Sequence, residues 1–367
     1  MNKKLIFAAI AAISLSSCSK DNLVSNNNNT ENGVHFGVLN NKVNTKATEI
    51  TVANISKFSV YAYKHNKGSA ATYTEEKPYY NGVSISVDNV GACTYTTSSD
   101  QKMWPKTEEL DFLAYAPLNS VTYSKGVITA DLSTKLNASD QTDVVVAKSI
   151  NEAGYGKDNY KTTMNFHHAY SQIKFKALSK YASVNFVVKS IRITGVSTKG
   201  TADLTTWTAQ ALDGVNNKGN GLGWTKATTG NVIDNVVFGV KANQTINTSP
   251  IDITDDNGAL MLMPQVLLGG TPITKSNTVE QILANKTQSY IVIEYSATDK
   301  ESGTVLVENG RCAAPISTDL QAGLRYVYSL TLAGNGDGGA VEDKLYPIDF
   351  TCTVEGWIDS TIPGVEL

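Results

Sequence analysis

The sequence predicts an all-β fold built of sandwiches, and three observations carry that prediction. Apolar and polar residues alternate with a period of two in segment after segment. Thr and Tyr are abundant, with 17 Tyr against 9 Phe and 4 Trp, and both favour strands over helices. Gly, Asn and Asp, the residues of tight turns, separate the short apolar runs. Many short strands joined by such turns indicate sandwiches.

The chain has 367 residues, room for two or three domains. Its 31 Lys and Arg against 34 Asp and Glu give a net charge of -3. The basic footprint of a nucleic-acid binder is therefore missing, and no nucleic acid is expected as a partner. Charged residues make up 18%, below the usual quarter, while the 41% of hydrophobic residues suffice for a core. Four His and four Cys leave little material for a metal centre or a disulfide framework. No metal and no cofactor are expected.

The N-terminus reads as an address. Met1-Asn2-Lys3-Lys4 is basic, and Leu5 to Leu15 is an eleven-residue, mostly apolar run. Crossing a bilayer takes about 20 apolar residues, so residues 1–17 read as a signal peptide. Leu15-Ser16-Ser17-Cys18 resembles a bacterial lipobox, in which Cys18 is acylated and becomes the first residue. The alternative is a plain secretory signal with a chance Cys. Ser19-Lys20-Asp21 is similar to the export tag of Bacteroidetes surface lipoproteins. Several acyl chains on one Cys anchor stably where a single chain would not. No later run of 18 apolar residues exists, so the lipid would be the anchor. Residues 18–33, with Ser25-Asn26-Asn27-Asn28-Asn29-Thr30, are too polar to fold and read as a flexible tether. Fully extended, it would reach about 50 Å.

Strand patterns then follow in order. Val34, Phe36 and Val38 alternate with His35 and Gly37; Phe58, Val60 and Ala62 alternate with Lys57, Ser59 and Tyr61. Ile173 and Phe175 alternate with Gln172, Lys174 and Lys176. Val184, Phe186 and Val188 share one face, after which Ile191 and Ile193 take the other parity, a change of phase that predicts a bulge or a strand changing sheets. Ile291, Ile293 and Tyr295 form another set, then Tyr326, Tyr328, Leu330 and Leu332, and last Phe350, Cys352 and Val354. The shared face of this last set predicts a buried thiol at Cys352. Thr278 to Thr287 is the one stretch with helical character. A domain break is expected near Tyr155 to Lys161, where Gly154, Gly156 and Asn159 separate two strand groups. It gives an N-terminal sandwich at 34–160 and a C-terminal one at 161–367. The second carries a Gly- and Asn-rich insertion near 214–230, with Trp207 and Trp224 close by.

Several literal motif matches fail on context. Gly334-Asn335-Gly336-Asp337-Gly338-Gly339 spells a dinucleotide fingerprint, but a strand pattern follows where the phosphate-binding helix is needed. Ser171-Gln172-Ile173-Lys174 spells a Ser-x-x-Lys dyad, yet on a strand its ends face opposite sides. His167 and His168 likewise cannot chelate one ion together, so a packed or hydrogen-bonded His is the simpler reading. Asp255-Asp256-Asn257-Gly258 lacks the spaced acids of a calcium loop and reads as a turn. No nucleophile, base and orienting group assemble from this inventory, so no catalytic residues are expected.

Six segments together resemble the fimbrillins, the subunits of Bacteroidetes type V pili. They are Trp104-Pro105 with Leu110-Asp111-Phe112-Leu113-Ala114-Tyr115-Ala116-Pro117; Asp143-Val144-Val145-Val146-Ala147; Met164 to Phe175, with His168 at the family's His; Leu260-Met261-Leu262-Met263-Pro264-Gln265; Ala322-Gly323-Leu324-Arg325-Tyr326-Val327-Tyr328; and the closing Val354-Glu355-Gly356-Trp357. Each alone is weak; in order, behind a lipobox, they span the chain from about residue 35 to its end.

The resemblance implies two transthyretin-like Greek-key β-sandwich domains in tandem. It also implies an assembly route: export as a lipoprotein, cleavage by a trypsin-like protease, then strand exchange between subunits. The cleavage site it implies falls at Lys46-Ala47, with Lys46 where the family has Arg. Cleavage there would remove the groove-filling first strand, Val34, Phe36 and Val38, and Phe350, Cys352 and Val354 would be the donor strand. The partners implied are other pilus subunits, the outer membrane through the lipid, the protease, and host or bacterial surface ligands. The precursor would be lipid-anchored at the cell surface and the mature form would lie in the fimbria. The alternative is a non-polymerising surface lipoprotein: a pilus anchor, a tip adhesin, or a glycan-binding module with Trp207 and Trp224 as stacking platforms.

Overall fold

Buried strands joined by turns account for nearly all the regular structure of the protein. A computed structural model describes residues 32–38, 55–74, 77–89, 91–227, 233–255, 259–274, 276–332, 346–347 and 349–357. The signal peptide, most of the tether, Cys18, Lys46, Ala47 and the 334–339 turn lie outside the described residues.

In chain order the first strands are β1 (Phe36–Val38), β2 (Lys57–Asn66), β3 (Tyr80–Val87), β4 (Cys93–Tyr95), β5 (Glu108–Ala116), β6 (Thr122–Ser124), β7 (Val127–Asp131), β8 (Val145–Glu152), β9 (Thr162–Met164) and β10 (His167–His168). There follow β11 (Ser171–Ser179), β12 (Val184–Ser197), β13 (Lys199–Asp203), β14 (Trp224–Lys226), β15 (Ile233–Phe238), β16 (Thr245–Ile246), β17 (Ile251–Asp252), β18 (Leu260–Leu262) and β19 (Val266–Leu267). After helix α1 (Val279–Ala284) come β20 (Tyr290–Asp299), β21 (Val305–Pro315), β22 (Thr318–Asp319), β23 (Leu324–Leu332), β24 (Tyr346–Pro347) and β25 (Asp349–Gly356).

The first large sheet is antiparallel, in the order β10-β8-β5-β2-β3-β4. Its middle strands are covered on both faces, so β5 is buried from Glu109 to Ala116 and reads as a near-continuous apolar run. Phe58, Val60, Phe112 and Ala114 join one core with Phe36, Tyr80, Ile85 and Trp104. Tyr63, Leu113 and Tyr115, of the opposite parity, join another. β1 runs parallel to β9 and packs its Phe36 into the first of these cores.

The second pair of sheets forms a sandwich. One has the order β17-β11-β23-β25, with β18 also on β11; the other has the order β15-β12-β20-β21-β24, with β16 also on β12. Ile173, Phe175, Phe186, Ile191, Ile293, Tyr326, Tyr328 and Leu330 pack between them. β12 is one continuous strand whose register against β20 shifts between Val188 and Ser190. That bulge is the expected change of phase, and it lets Phe186 and Val188 share a core with Ile191 and Ile193.

A four-stranded sheet, β14-β13-β7-β6, takes strands from residues 122–131 and 199–226. Tyr63, Leu113, Ile128, Ala202, Trp207, Met261 and Trp357 meet in one core beside it. The 153–161 segment turns through Gly156 and Asn159, both at positive φ, before β9 and β10 pair back onto β1 and β8. Helix α1 forms where the helical stretch was expected. Thr278 Oγ1 accepts from Gln281 N at 3.2 Å and Gln281 Oε1 accepts from Thr278 N at 3.0 Å, a reciprocal capping box.

Candidate functional site

Three places carry the candidate site residues: the seat of the first strand, the closing strand, and a cleft beside the tryptophans. At the first, alternation sends Val34 and Phe36 inward, at 0% and 3% exposure, while Val38 is half-buried at the end of β1. The Phe36 ring meets Phe112 at 5.4 Å, Tyr95 at 6.0 Å and Phe58 at 6.1 Å between centroids. The backbone is held on both sides. Val34 N donates to Lys102 O at 2.9 Å, Tyr95 Oη donates to Val34 O at 2.8 Å, and Thr162 N donates to His35 O at 2.9 Å. Burial raises the pKa of the Tyr80 hydroxyl to about 12 and pushes that of Tyr95 up as well, so this pair, 2.9 Å apart, stays neutral.

The closing strand β25 pairs antiparallel with β23, Phe350 opposite Leu330, Cys352 opposite Tyr328 and Val354 opposite Tyr326. Those three partners are fully buried, so Cys352 and Val354 share the core-side parity, while the Phe350 side chain lies outside what the structure describes. Depth is another matter. Val354 packs against the core half-buried, but Cys352 is exposed, which corrects the expectation of a buried thiol. Alternation fixes the side a residue faces; β25 is the edge of its sheet, where the core-facing side opens to solvent. Protein crowded beneath the thiol still desolvates it enough to push its pKa up to about 11.

The two histidines part as expected of a strand. His167 is half-buried with its ring edge-on to Trp207 at 5.6 Å, whereas His168 points into the core on the other face. His168 Nδ1 lies 2.7 Å from Asp143 Oδ2, and its ring stacks on Trp357 at 3.8 Å and 6°. Asn220 Nδ2 donates to His168 O at 2.7 Å, and Trp357 N donates to Gly323 O at 2.7 Å. Among the described residues, no group of three His, Cys, Asp or Glu is placed to hold a metal. Three distant segments thus converge on a clasp that positions the end of β25. No spacing in the sequence announces it, because its members are 25 residues apart in one case and lie at the chain's far end in the other.

The cleft of about 690 Å³ lies along β13 and β14 under the 206–223 loop. Thr201, Asp203, Trp207, Gln210, Gly223 and Trp224 are among its walls. Trp207 is 4% exposed and donates from Nε1 to Asn220 O at 3.0 Å; Trp224 is half-buried and donates to Ala169 O at 2.8 Å. Trp207 is therefore packed beneath the loop rather than standing out as a platform. Gly221, at φ +83°, turns the loop back at a point where a Cβ would lie 3.0 Å from Thr208 O. Thr201, Asp203 and Gln210 belong to no motif and had no signal in the sequence.

Residues 45–357 match the family model described as fimbrillin-like. No curated protein matches the chain. Among solved structures, a Bacteroides uniformis protein described as a candidate cell adhesion protein is 14% identical with a TM-score of 0.48, over 90% of this chain and 99% of that one. The tip fimbrial protein Mfa3 of Porphyromonas gingivalis, truncated at its C-terminus, is 9% identical with a TM-score of 0.39, over 89% of this chain and 100% of that one. A fimbrial assembly protein of Parabacteroides distasonis is 10% identical with a TM-score of 0.37, over 88% and 95%.

Proposed function

The chain belongs to the fimbrillin-like family, and from that premise we propose that it is a structural, non-catalytic pilus subunit that serves adhesion. On this reading it is exported as a lipoprotein acylated at Cys18 and held at the outer membrane. A trypsin-like protease cuts between Lys46 and Ala47, and the subunits then polymerise by strand exchange. Division into two transthyretin-like domains, 34–160 and 161–367, belongs to the same proposal.

The observation that carries it is the seat of β1. This strand is three residues long and precedes Lys46 in the chain, and its Phe36, with Val34 just ahead of it, fills an aromatic trough. Its withdrawal would uncover Phe58, Tyr95 and Phe112, and burial of each such side chain is worth about 1.5–3 kcal/mol. An emptied trough with unpaired backbone on both sides is a template for a strand of like alternation. Phe350, Cys352 and Val354 have that alternation, on a strand that among the described residues pairs with β23 alone.

The test compares Lys46→Ala with Lys46→Arg in surface material run without boiling. The Arg variant should give a polymer ladder with Ala47 as its N-terminus, and the Ala variant a monomer that retains Cys18. Assembly of the Ala variant as good as wild type would exclude Lys46 as the control point. Cys18→Ala should lose outer-membrane delivery on cell fractionation.

A further inference from the structure

We propose that the cleft along β13 and β14 is a binding site for a neutral oligosaccharide. The inference stands apart from polymerisation, since such a site serves a fibre subunit and a monomeric surface protein alike. Its volume, about 690 Å³, is that of a small-ligand site.

The chemistry of the walls selects the ligand. The indole N–H of Trp224 is spent on Ala169 O, which locks that half-buried ring with its accessible apolar surface toward the cleft, while Trp207, bound to Asn220 O, backs the wall from beneath the loop. The C–H face of a pyranose is the natural complement of such a surface. Around the rings stand Thr201, Thr208 and Gln210, groups that both donate and accept, as sugar hydroxyls do. Asp203 is the charged residue of the wall. Its Oδ1 accepts from Thr205 N at 2.8 Å and Thr205 Oγ1 at 2.6 Å, which fixes the carboxylate and leaves Oδ2 for a hydroxyl. Among the described residues no Lys or Arg lines the cleft, and behind it the Lys148 ammonium, bonded to Thr205 O and to Trp207 O at 2.9 Å, balances Asp203, so a ligand without net charge leaves that balance undisturbed. The loop is fastened before any ligand arrives: Gln210 N donates to Asn220 O at 3.0 Å, and Asn220 N to Ala322 O at 2.9 Å. Little ordering cost is then left to binding.

Gly223 supplies the test. It lines the cleft, and a Cβ built there meets nothing within 4 Å, so a side chain at 223 fills the cleft without pushing on the protein. Wild type, Gly223→Phe and Gln210→Ala would be titrated by calorimetry with mannohexaose, cellohexaose, xylohexaose and laminarihexaose, and with oligogalacturonate and tetralysine as charged probes. At least one neutral hexasaccharide should bind wild type saturably. Gly223→Phe should weaken it at least tenfold with unchanged circular dichroism and Tm, and Gln210→Ala at least threefold. Should Gly223→Phe fail to fold, the Gln210→Ala titration decides. The proposal is overturned if no neutral probe binds, if a charged probe binds and the neutral ones do not, or if the variants bind as tightly as wild type.

Discussion

Trp357 and His168 show how a titratable ring is seated in a core. The imidazole sets Nδ1 against Asp143 and one face against the indole, so a hydrogen bond and a stacking contact hold the same ring. Trp357→Ala removes that stacking partner from a site 1% exposed and should cost about 3–5 kcal/mol in urea denaturation. His168→Ala should cost about 1–3 kcal/mol or more, because it strips a buried carboxylate of the partner that compensates it. A surface pair behaves differently. The Lys199 ammonium, 2.7 Å from Asp131, and then the Ser133 hydroxyl hold the Asp131 carboxyl down to about 2. A depressed acid stabilises the fold above its unfolded value near 3.8, and that share is lost as pH falls through about 2. Both side chains are more than 40% exposed, so Asp131→Asn should cost under about 1 kcal/mol at pH 7. Denaturation curves of variant and wild type should converge toward pH 2.

Among the elements, β25 offers the sharpest contrast between neighbours. Val354 faces the core side and Thr353 is exposed. Val354→Asp should loosen the strand by about 1–3 kcal/mol and, on the proposed route of strand exchange, stop polymer formation, while Thr353→Asp should stay within about 0.5 kcal/mol of wild type. Thermal melts and unboiled gels of the two read both effects; equal behaviour would remove the assigned face. Much of this scale was legible in the sequence. The strands at 57–66 and 171–179, the bulge after Val188 and the helix within 278–287 follow from period and phase, both local properties, while the cap at Thr278 appeared only in the structure. The openness of Cys352 was not legible, because alternation carries no information on whether a strand is central or at an edge. Nor was the sheet of β14, β13, β7 and β6, whose shortest strands have three residues, too few for a period to show. The seat of Phe36 was legible as a face but not as a trough of named aromatics, since Phe58, Tyr95 and Phe112 come from separate strands.

For the whole molecule, the core that holds Tyr63, Leu113, Ile128, Met261 and Trp357 matters most, because it draws on strands from both halves of the chain. A fragment ending near Ser171 would bare Leu113, Tyr115 and Ile128, which are otherwise covered. Such a fragment should bind a hydrophobic dye and aggregate. The intact protein should unfold in one calorimetric transition with equal calorimetric and van't Hoff enthalpies. Two separated transitions would show that the shared core contributes little to cooperativity.

The parallel pairing of β11 with β23 also sets an order of events in time. Gln172 and Arg325, adjacent in the sheet, are 153 residues apart in the chain. A chain emerging N-terminus first can close the sheet of β2, β3 and β5 from nearby segments. β11 must wait for nearly all the rest to be delivered before its central neighbour exists. Closing so long a loop precedes any gain from the pairing, which makes this step slow. Meanwhile Ile173, Phe175 and Ala177 offer an apolar, unpaired edge to any other strand in reach. The lifetime of that waiting state, rather than the stability of the finished protein, sets how much holding by a chaperone the newborn chain requires.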